Sequence, residues 1–190
     1  GIDAAFAAAR AGDTIELAEG NFELKGPLRI PGRVWVRGAG KEKTTISSAV
    51  AGGLVLEVGS GGDYSELSDM RIESMMGTAV AVRETAIPEM FLHDLAIWGM
   101  ADKTLLIESG GSPNVAACNI SGGVLVRGPA GRARFSRSEL PNVRLQGGRA
   151  GIDGCASIGF VTIDAEDAEL TVTGSNISAG SLKNTKAVLQ

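Results

Sequence analysis

The chain contains few of the residues on which catalytic and metal sites usually depend. Its 190 residues include one histidine and two cysteines. That histidine, His93, lacks the partners in sequence that a catalytic triad or a histidine and cysteine metal site requires. The chain therefore offers few histidine or cysteine side chains for catalysis or for metal binding.

Long apolar runs and a strong net charge are also absent. No stretch is long and apolar enough to cross a bilayer, and the sequence has no basic-then-apolar leader. The net charge of −4 gives no reason to expect a nucleic-acid partner. Because the first residue is glycine rather than methionine, we expect a processed or excised module of a larger extracytoplasmic bacterial protein.

Glycine, by contrast, is abundant, with 27 residues, and 44% of the chain is hydrophobic. Glycine at this frequency is typical of a β fold with many tight corners. A six-residue pattern, apolar-x-x-apolar-x-apolar, also recurs along the chain. It occurs at Leu67/Met70/Ile72, Leu92/Leu95/Ile97, Val115/Cys118/Ile120, Phe135/Ser138/Leu140 and Ile158/Val161/Ile163. The last residues of successive patterns lie 25, 23, 20 and 23 positions apart, which predicts stacked turns of a β-solenoid.

Short alternating strands support the same fold. In four such strands two residues are predicted to point inward, namely Val80/Val82, Leu105/Ile107, Val124/Val126 and Val143/Leu145. Leu54-Val55-Leu56 precedes them and is predicted to form a similar strand. The next outward positions read Glu57, Arg83, Glu108, Arg127 and Gln146. Alternating charge is what stacked strands favour, because like charges placed directly opposite each other destabilise a sheet.

The first segment departs from this pattern. Ile2, Ala5, Phe6 and Ala9 lie on one face of a short predicted helix, which would cap the open end of the solenoid. Short strands are predicted at Thr14–Leu17, Leu28–Ile30, Val34–Val36 and Thr45–Ile46, with a turn at Gly20-Asn21.

This opening segment resembles the right-handed parallel β-helix proteins grouped as pectin-lyase-like. The resemblance rests on Ala11-Gly12-Asp13-Thr14-Ile15, on Gly20-Asn21-Phe22, on Val34-Trp35-Val36-Arg37-Gly38-Ala39-Gly40 and on Thr44-Thr45-Ile46. It implies an all-β, single-stranded parallel β-helix with an N-terminal helical cap. It implies no single activity, because that architecture hosts lyases, hydrolases, epimerases, phage spikes and non-catalytic modules.

We expect one domain over residues 1–190. Residues 1–13 form the helical cap, 14–165 the coils, and 166–190 a terminal rung or cap. The tail is set apart because Val172/Ser175/Ile177 repeats the pattern only 14 positions after the preceding one, which is too short for a full coil.

Arginines are concentrated between Arg127 and Arg149. This segment carries six of them, namely Arg127, Arg132, Arg134, Arg137, Arg144 and Arg149. Arginine forks bind carboxylate or sulfate with two hydrogen bonds, so Arg132, Arg134 and Arg137 are candidate ligands for an acidic polysaccharide. The alternative is a solvated face that pairs with the acidic residues that follow.

Part of this segment, Arg127-Gly128-Pro129-Ala130-Gly131-Arg132, matches the R-x-P-x-x-R string around the catalytic base of pectate lyases. That likeness implies that Arg127 or Arg132 abstracts a proton while the other holds the substrate. The histidine-bearing segment that follows in that family is absent, and no trio of calcium-binding aspartates precedes the string.

Asp69 and Asp94 occupy the same slot in consecutive patterns. Stacked on adjacent turns, their carboxylates repel each other unless something intervenes. A bound Ca²⁺ is one solution, and hydrogen bonding to the backbone at a corner is the other and favoured one.

Both tryptophans are predicted to point outward. Arg33, Trp35 and Arg37 lie on one face of a strand, and Trp98 follows the inward Ile97. Exposed indoles beside cations suit sugar stacking, although a loop or partner chain covering them is equally consistent with the pattern. An outward apolar column of Val55, Ala81, Leu106 and Leu125 indicates either a covering segment or a homo-oligomer formed through Val55, Leu106 and Leu125.

Cys118 falls at an inward position and is expected to be a small buried hydrophobe. Cys155 lies in a glycine-rich run, and spacing alone defines no bridge between the two.

The leading hypothesis is a non-catalytic module that presents a β-helix face to carbohydrate or cell-wall glycan, as a binding, sensor or adhesion part, without a resident cofactor. An acidic-polysaccharide lyase and a structural spacer are the alternatives.

Overall fold

The computed structural model describes residues 1–58, 64–83, 90–108, 110–129, 131–157, 162–176 and 178–190. The chain forms an all-β parallel solenoid of about seven turns with one short helix, α1 (Ile2–Ala8), at its start. The predicted fold class is confirmed, and so is the helix, whose Phe6 is buried at the first turn. None of the described helical residues forms a helix long and apolar enough to span a membrane.

Two sheets wrap the solenoid, and the larger one bends into two faces. The first, here called the front face, contains β1 (Thr14–Glu16), β4 (Trp35–Arg37), the first halves of β7 (Glu66–Ser74) and β9 (Met90–Gly99), then β11 (Pro113–Ala116), β14 (Arg132–Ser136), β17 (Arg149–Asp153), β20 (Glu169–Thr173) and β22 (Lys186–Leu189). The second, the side face, contains β2 (Gly20–Leu24), β5 (Thr44–Ser48), the second halves of β7 and β9, β12 (Asn119–Ile120), β15 (Glu139–Leu140) and β18 (Ala156–Ser157).

The smaller sheet forms the back face. It contains β3 (Leu28–Ile30), β6 (Leu56–Val58), β8 (Val80–Arg83), β10 (Leu105–Glu108), β13 (Gly123–Arg127), β16 (Asn142–Gln146), β19 (Thr162–Glu166) and β21 (Ser178–Lys183). The turn predicted at Gly20-Asn21 is wrong, because both residues lie in β2, which pairs with β5.

The core is a set of apolar ladders inside the three faces. On the front face the inward residue of each turn stacks on the next, in the order Ile15, Val36, Leu67, Leu92, Val115, Phe135, Ile152 and Val172. All of these side chains are buried. Burial of apolar surface stabilises a fold by about 25 cal/mol per Å². Here that stabilisation is distributed along the solenoid axis rather than concentrated in one central core.

The corner between the front and side faces has a constant backbone conformation. Asp69, Asp94, Ala117, Arg137 and Gly154 all have a positive φ there, between 47° and 57°. One left-handed residue turns the chain sharply, so a strand of the front face passes into the side face without a loop. This corner is the reason that β7 and β9 belong to both faces.

The back face confirms most of the predicted charge column. Arg83 lies opposite Glu108, and Glu108 lies opposite Arg127. Arg83 Nε is 2.7 Å from Glu108 Oε1, and Arg127 also contacts the Glu108 carboxylate. Glu57 lies one position away from the predicted column, opposite Ala81, but its Oε1 still lies 3.3 Å from Arg83 Nη1.

That shift also removes Val55 from the predicted apolar column. Val55 is fully buried in the core, and the strand there begins at Leu56. Ala81, Leu106 and Leu125 do form an outward column, but they are already covered, with relative exposures of 0%, 3% and 9%. The surface on which the homo-oligomer hypothesis rested is therefore not available to a partner.

The fifth predicted pattern was misplaced. Ile163 pairs with Val143 on the back face, whereas Ile158 and Val161 lie outside the described residues. The next turn of the front face instead starts at Ile152, which stacks between Phe135 and Val172. The strands beyond residue 165 continue both sheets, in register on the front face and with a register shift between Ile163 and Ala165 where β19 pairs with β21 on the back face.

The shared corner conformation generates a stability prediction. Gly154 and Ala117 have φ values of 57° and 52° at equivalent corners, and a Cβ added at Gly154 meets nothing within 4 Å. Gly154→Ala is therefore expected to lower the free energy of unfolding by about 1 kcal/mol through backbone strain alone. Ala117→Gly is expected to raise it or leave it unchanged, and urea denaturation measures both. A loss of stability in Ala117→Gly as large as that in Gly154→Ala would contradict the strain explanation.

Candidate functional site

The outward side chains of the front face form a continuous strip along the solenoid axis. Trp35 lies opposite Glu66, Glu66 opposite Phe91, Phe91 opposite Asn114, and Asn114 opposite Arg134. These five residues are called the axial strip below. Adjacent parallel strands are about 4.8 Å apart, so the strip spans roughly 20 Å.

The strip carries two exposed aromatic rings. Trp35 is 38% exposed and Phe91 is 41% exposed, although side chains of this size are normally buried. Two turns separate Trp35 from Phe91, and two more separate Phe91 from Arg134. The strip therefore presents an indole, a phenyl ring and a guanidinium at equal intervals of roughly 10 Å.

One end of the strip runs into a depression lined by arginines. Its volume is about 460 Å³, and Arg132, Arg134 and Arg149 line it together with Asn114 and Gly151. Gly151 follows Arg134 in the same outward column and has no side chain to fill the space. The depression is thus an open site lined by three cations.

The charges around this depression are only partly balanced. Arg132 and Arg149 lie directly opposite each other, which is unfavourable for like charges. Arg149 Nε is 3.0 Å from Glu169 Oε2, whereas Arg132 and Arg134 form no ion pair among the described residues. An anionic ligand placed here would offset this repulsion.

His93 lies beside the strip and has two carboxylate partners. Its Nε2 is 3.0 Å from Glu66 Oε1, and its Nδ1 is 3.0 Å from Asp94 Oδ2. Burial lowers the pKa of His93, but the hydrogen bonds and charges of Asp94 and Glu66 outweigh it, so the pKa is raised above 6.5. A protonated His93 therefore offsets part of the negative charge that Glu66 and Asp94 carry together.

The structure separates Arg33, Trp98 and Arg137 from this surface. Arg33 lies in a turn with a φ of 59°, and its guanidinium lies 6.0 Å from the centre of the Tyr64 ring. Arg37 is adjacent to the strip, with its Nε 3.7 Å from Asp69 Oδ2. Trp98 lies beyond the corner on the side face, and Arg137 is itself a corner residue. Of the predicted set, Trp35, Arg132 and Arg134 therefore come together on the front face, with Arg37 beside them.

The two arginines of the lyase-like string lie on different faces. Arg127 ends a back-face strand, and Arg132 begins a front-face strand. The Arg127 guanidinium forms an ion pair with Glu108 on the back face, so it does not share a site with Arg132.

Asp69 and Asp94 occupy equivalent corners, as the pattern predicted, and both have left-handed backbones with φ values of 57° and 53°. Each carboxylate has a basic partner, Arg37 for Asp69 and His93 for Asp94. Among the described residues, no group of three or more His, Cys, Asp or Glu side chains is placed to hold a metal ion. Both residues thus lie at the corner, and the carboxylate contacts in the structure are with basic side chains.

Both cysteines are unbridged and buried. Burial raises the pKa of the Cys118 thiol to about 12, so the reactive thiolate is disfavoured there. This agrees with the sequence-based view of Cys118 as a small buried hydrophobe.

Sequence reasoning missed Phe91 and Glu66 as parts of this surface, and it named Arg149 only as a member of the arginine-rich segment. Phe91 precedes the inward Leu92, so strand alternation alone was enough to place its ring outward. Its alignment with Trp35 depends on the register across loops of different lengths, which the sequence pattern does not supply.

The fold is a parallel β-solenoid similar to right-handed parallel β-helices among solved structures, and an aromatic and cationic strip runs along one of its faces. Comparison with solved structures found a pectin methylesterase from Aspergillus niger in deglycosylated form, with a TM-score of 0.62 and 14% identity over 96% of this chain and 79% of that protein. Two further pectin methylesterase structures, each in complex with a hexasaccharide, have TM-scores of 0.54 and 0.53 and identities of 14% and 12%. This chain spans 62% of the length of each of those two.

Identities this low show a shared fold and no more. No protein-family model matches the chain, and no curated protein sequence matches it either.

The contacts of His93 generate a second prediction. Because the chain has a single histidine, its imidazole signals can be followed by NMR without ambiguity. Glu66→Gln removes one of the carboxylates that favour the imidazolium and is expected to lower the pKa of His93. Glu139→Gln, on the side face, is the matched control and is expected to leave that pKa unchanged. Equal pKa values in the parent and Glu66→Gln would mean that the 3.0 Å contact is not formed in solution.

The sign of the linked stability change follows from the raised pKa. Protonated His93 is favoured in the folded state, so its stabilisation is complete below pH 6.5. It is lost as the pH rises through the higher pKa of the folded state. A difference in unfolding free energy between the parent and Glu66→Gln is therefore expected to shrink with increasing pH.

Proposed function

We propose that this protein is a non-catalytic β-helix module that binds an extended acidic polysaccharide along the axial strip. The observation that carries the proposal is the alignment of Trp35, Phe91 and Arg134 in one outward column. The module would act within a larger extracytoplasmic protein, as a binding, sensor or adhesion part.

The two kinds of side chain on the strip suit the two parts of such a polymer. Aromatic rings pack against the apolar C–H faces of sugar rings, and Trp35 and Phe91 expose enough area to do so. Arginine binds carboxylates through two parallel hydrogen bonds, and Arg132 and Arg134 have guanidiniums without an acidic partner in the described structure.

The remaining acid on the strip has a basic partner. Glu66 lies between the two aromatic rings, and its Oε1 is 3.0 Å from His93 Nε2, so the imidazolium form of His93 offsets part of its charge. The similarity to pectin methylesterases, two of them solved with a hexasaccharide, agrees with a carbohydrate ligand but supports it only at the level of the fold.

The proposal predicts weaker glycan binding in Arg134→Gln and in Trp35→Ala. Removing a charge-assisted hydrogen bond costs roughly 1.5–3 kcal/mol, so Arg134→Gln is expected to weaken binding by about tenfold or more. Affinity electrophoresis through gels cast with polygalacturonate measures this, and added salt should weaken the parent interaction. Arg29→Gln is the control, because that side chain is 81% exposed on the back face.

Three outcomes would contradict the proposal. Unchanged retardation in both front-face variants would place binding elsewhere, and absence of retardation in the parent would refute glycan binding under these conditions. A cleared zone in the gel after staining for polymer would show catalysis and favour the lyase alternative.

A further inference from the structure

A second cavity lies on the side face, around the corner from the axial strip. It has a volume of about 480 Å³ and is lined by Trp98, Arg71, Lys41, Asn119 and Glu139, among others. Ligand pockets in proteins commonly measure about 300–1,000 Å³. This cavity, called the side pocket below, is thus large enough for a small molecule.

The side pocket arises from one short side chain in an outward column. Arg71, Ala96, Asn119 and Glu139 follow each other on adjacent turns of the side face. Ala96 leaves a gap between the longer side chains of Arg71 and Asn119. Trp98, two residues further along the same strand, points to the same side and is half-buried, so its indole forms a wall of this gap.

The polar side of the pocket is held in place by its own hydrogen bonds. Lys41 Nζ donates to Asn119 Oδ1 at 3.3 Å, and Asn119 Nδ2 donates to Glu139 Oε2 at 2.7 Å. These two hydrogen bonds fix the orientation of the Asn119 amide and use one oxygen of the Glu139 carboxylate. Both groups have further hydrogen-bonding capacity for sugar hydroxyls.

Arg71 lines the pocket with an unsatisfied side-chain nitrogen, although the carboxylates of Glu42 and Glu139 also line it. Its Nε is buried without a hydrogen-bond partner, and among the described residues its guanidinium forms no ion pair. A half-buried cation without a counter-charge is unfavourable, because burial removes part of its hydration. An anionic group in the pocket would supply that counter-charge.

We propose that the side pocket binds a single sugar-acid residue, with its ring against the Trp98 indole and its carboxylate at Arg71. The indole supplies the stacking surface, Arg71 supplies the charge, and Asn119 and Glu139 face the hydroxyl groups. This site is separate from the axial strip and does not depend on it, because the strip lies on the other side of the Asp69 and Asp94 corner.

The chain offers a clean optical test of this site. It contains two tryptophans, so Trp35→Phe leaves Trp98 as the sole indole reporter and also removes the indole of the strip. The titration of this variant with sodium galacturonate, monitored by tryptophan fluorescence and by calorimetry, is expected to saturate. Galactose, which has the same ring without the carboxylate, is expected to bind at least tenfold more weakly.

The second step replaces the charged group in the same background. Arg71→Gln is expected to weaken galacturonate binding by about tenfold or more. Arg71→Lys keeps the charge but loses the planar guanidinium, so its affinity is expected to lie between those of Arg71 and Arg71→Gln. Arg29→Gln on the back face is the matched control, and circular dichroism melting checks that each variant is folded.

The outcomes separate this proposal from that for the axial strip. No response to galacturonate, an equal response to galactose, or unchanged affinity in Arg71→Gln would each overturn the side pocket. None of these results would alter the expected retardation of the parent protein by polygalacturonate, which depends on Trp35 and Arg134. Conversely, a normal side-pocket titration without retardation would leave the strip proposal refuted and this one intact.

Discussion

The parallel hydrogen-bond ladder between turns is the constraint on which the rest of this structure depends. It places each residue directly over its counterpart in the next turn, at a spacing of about 4.8 Å. Side chains in one column therefore either suit each other or destabilise the sheet. Inside, this produces continuous apolar ladders such as Leu67, Leu92 and Val115. On the back face it produces the alternation of Arg83, Glu108 and Arg127.

The same constraint makes the front face unusual. Its outward column is not balanced in the way of the back face, because aromatic rings stay exposed and Arg132 lies opposite Arg149. Such positions lower stability in the absence of a ligand, and proteins commonly carry features of this kind at functional sites. The side pocket also contains an unbalanced charge, because Arg71 has no ion-pair partner among the described residues and its Nε has no hydrogen-bond partner.

How far the sequence predicted this structure depends on whether apolar residues occupy the positions of the pattern. Where large apolar residues fill the ladder, as at Leu92, Leu95 and Ile97, the pattern located the turns correctly. At the turn that starts with Ile152, Ser157 pairs with Leu140 and occupies the last position of the pattern, where an apolar residue is required, so the expected turn was misplaced. The candidate site was predictable only residue by residue. Trp35 was predicted to point outward and Arg134 was predicted as a candidate ligand, but their common column follows from a register that the intervening loops conceal.

Turn length varies along the chain, whereas the pairing register of the front face stays constant from turn to turn. Thirty-one residues separate Val36 from the stacked Leu67, whereas seventeen separate Phe135 from the stacked Ile152. The axial rise is the same in both cases, because the backbone ladder sets it and the loops absorb the difference. The front face therefore presents its outward side chains at one fixed spacing along the axis. A polymer can contact Trp35, Phe91 and Arg134 together only if its own repeat length matches a whole number of strand spacings. This surface would therefore select ligands by their repeat length rather than by their shape.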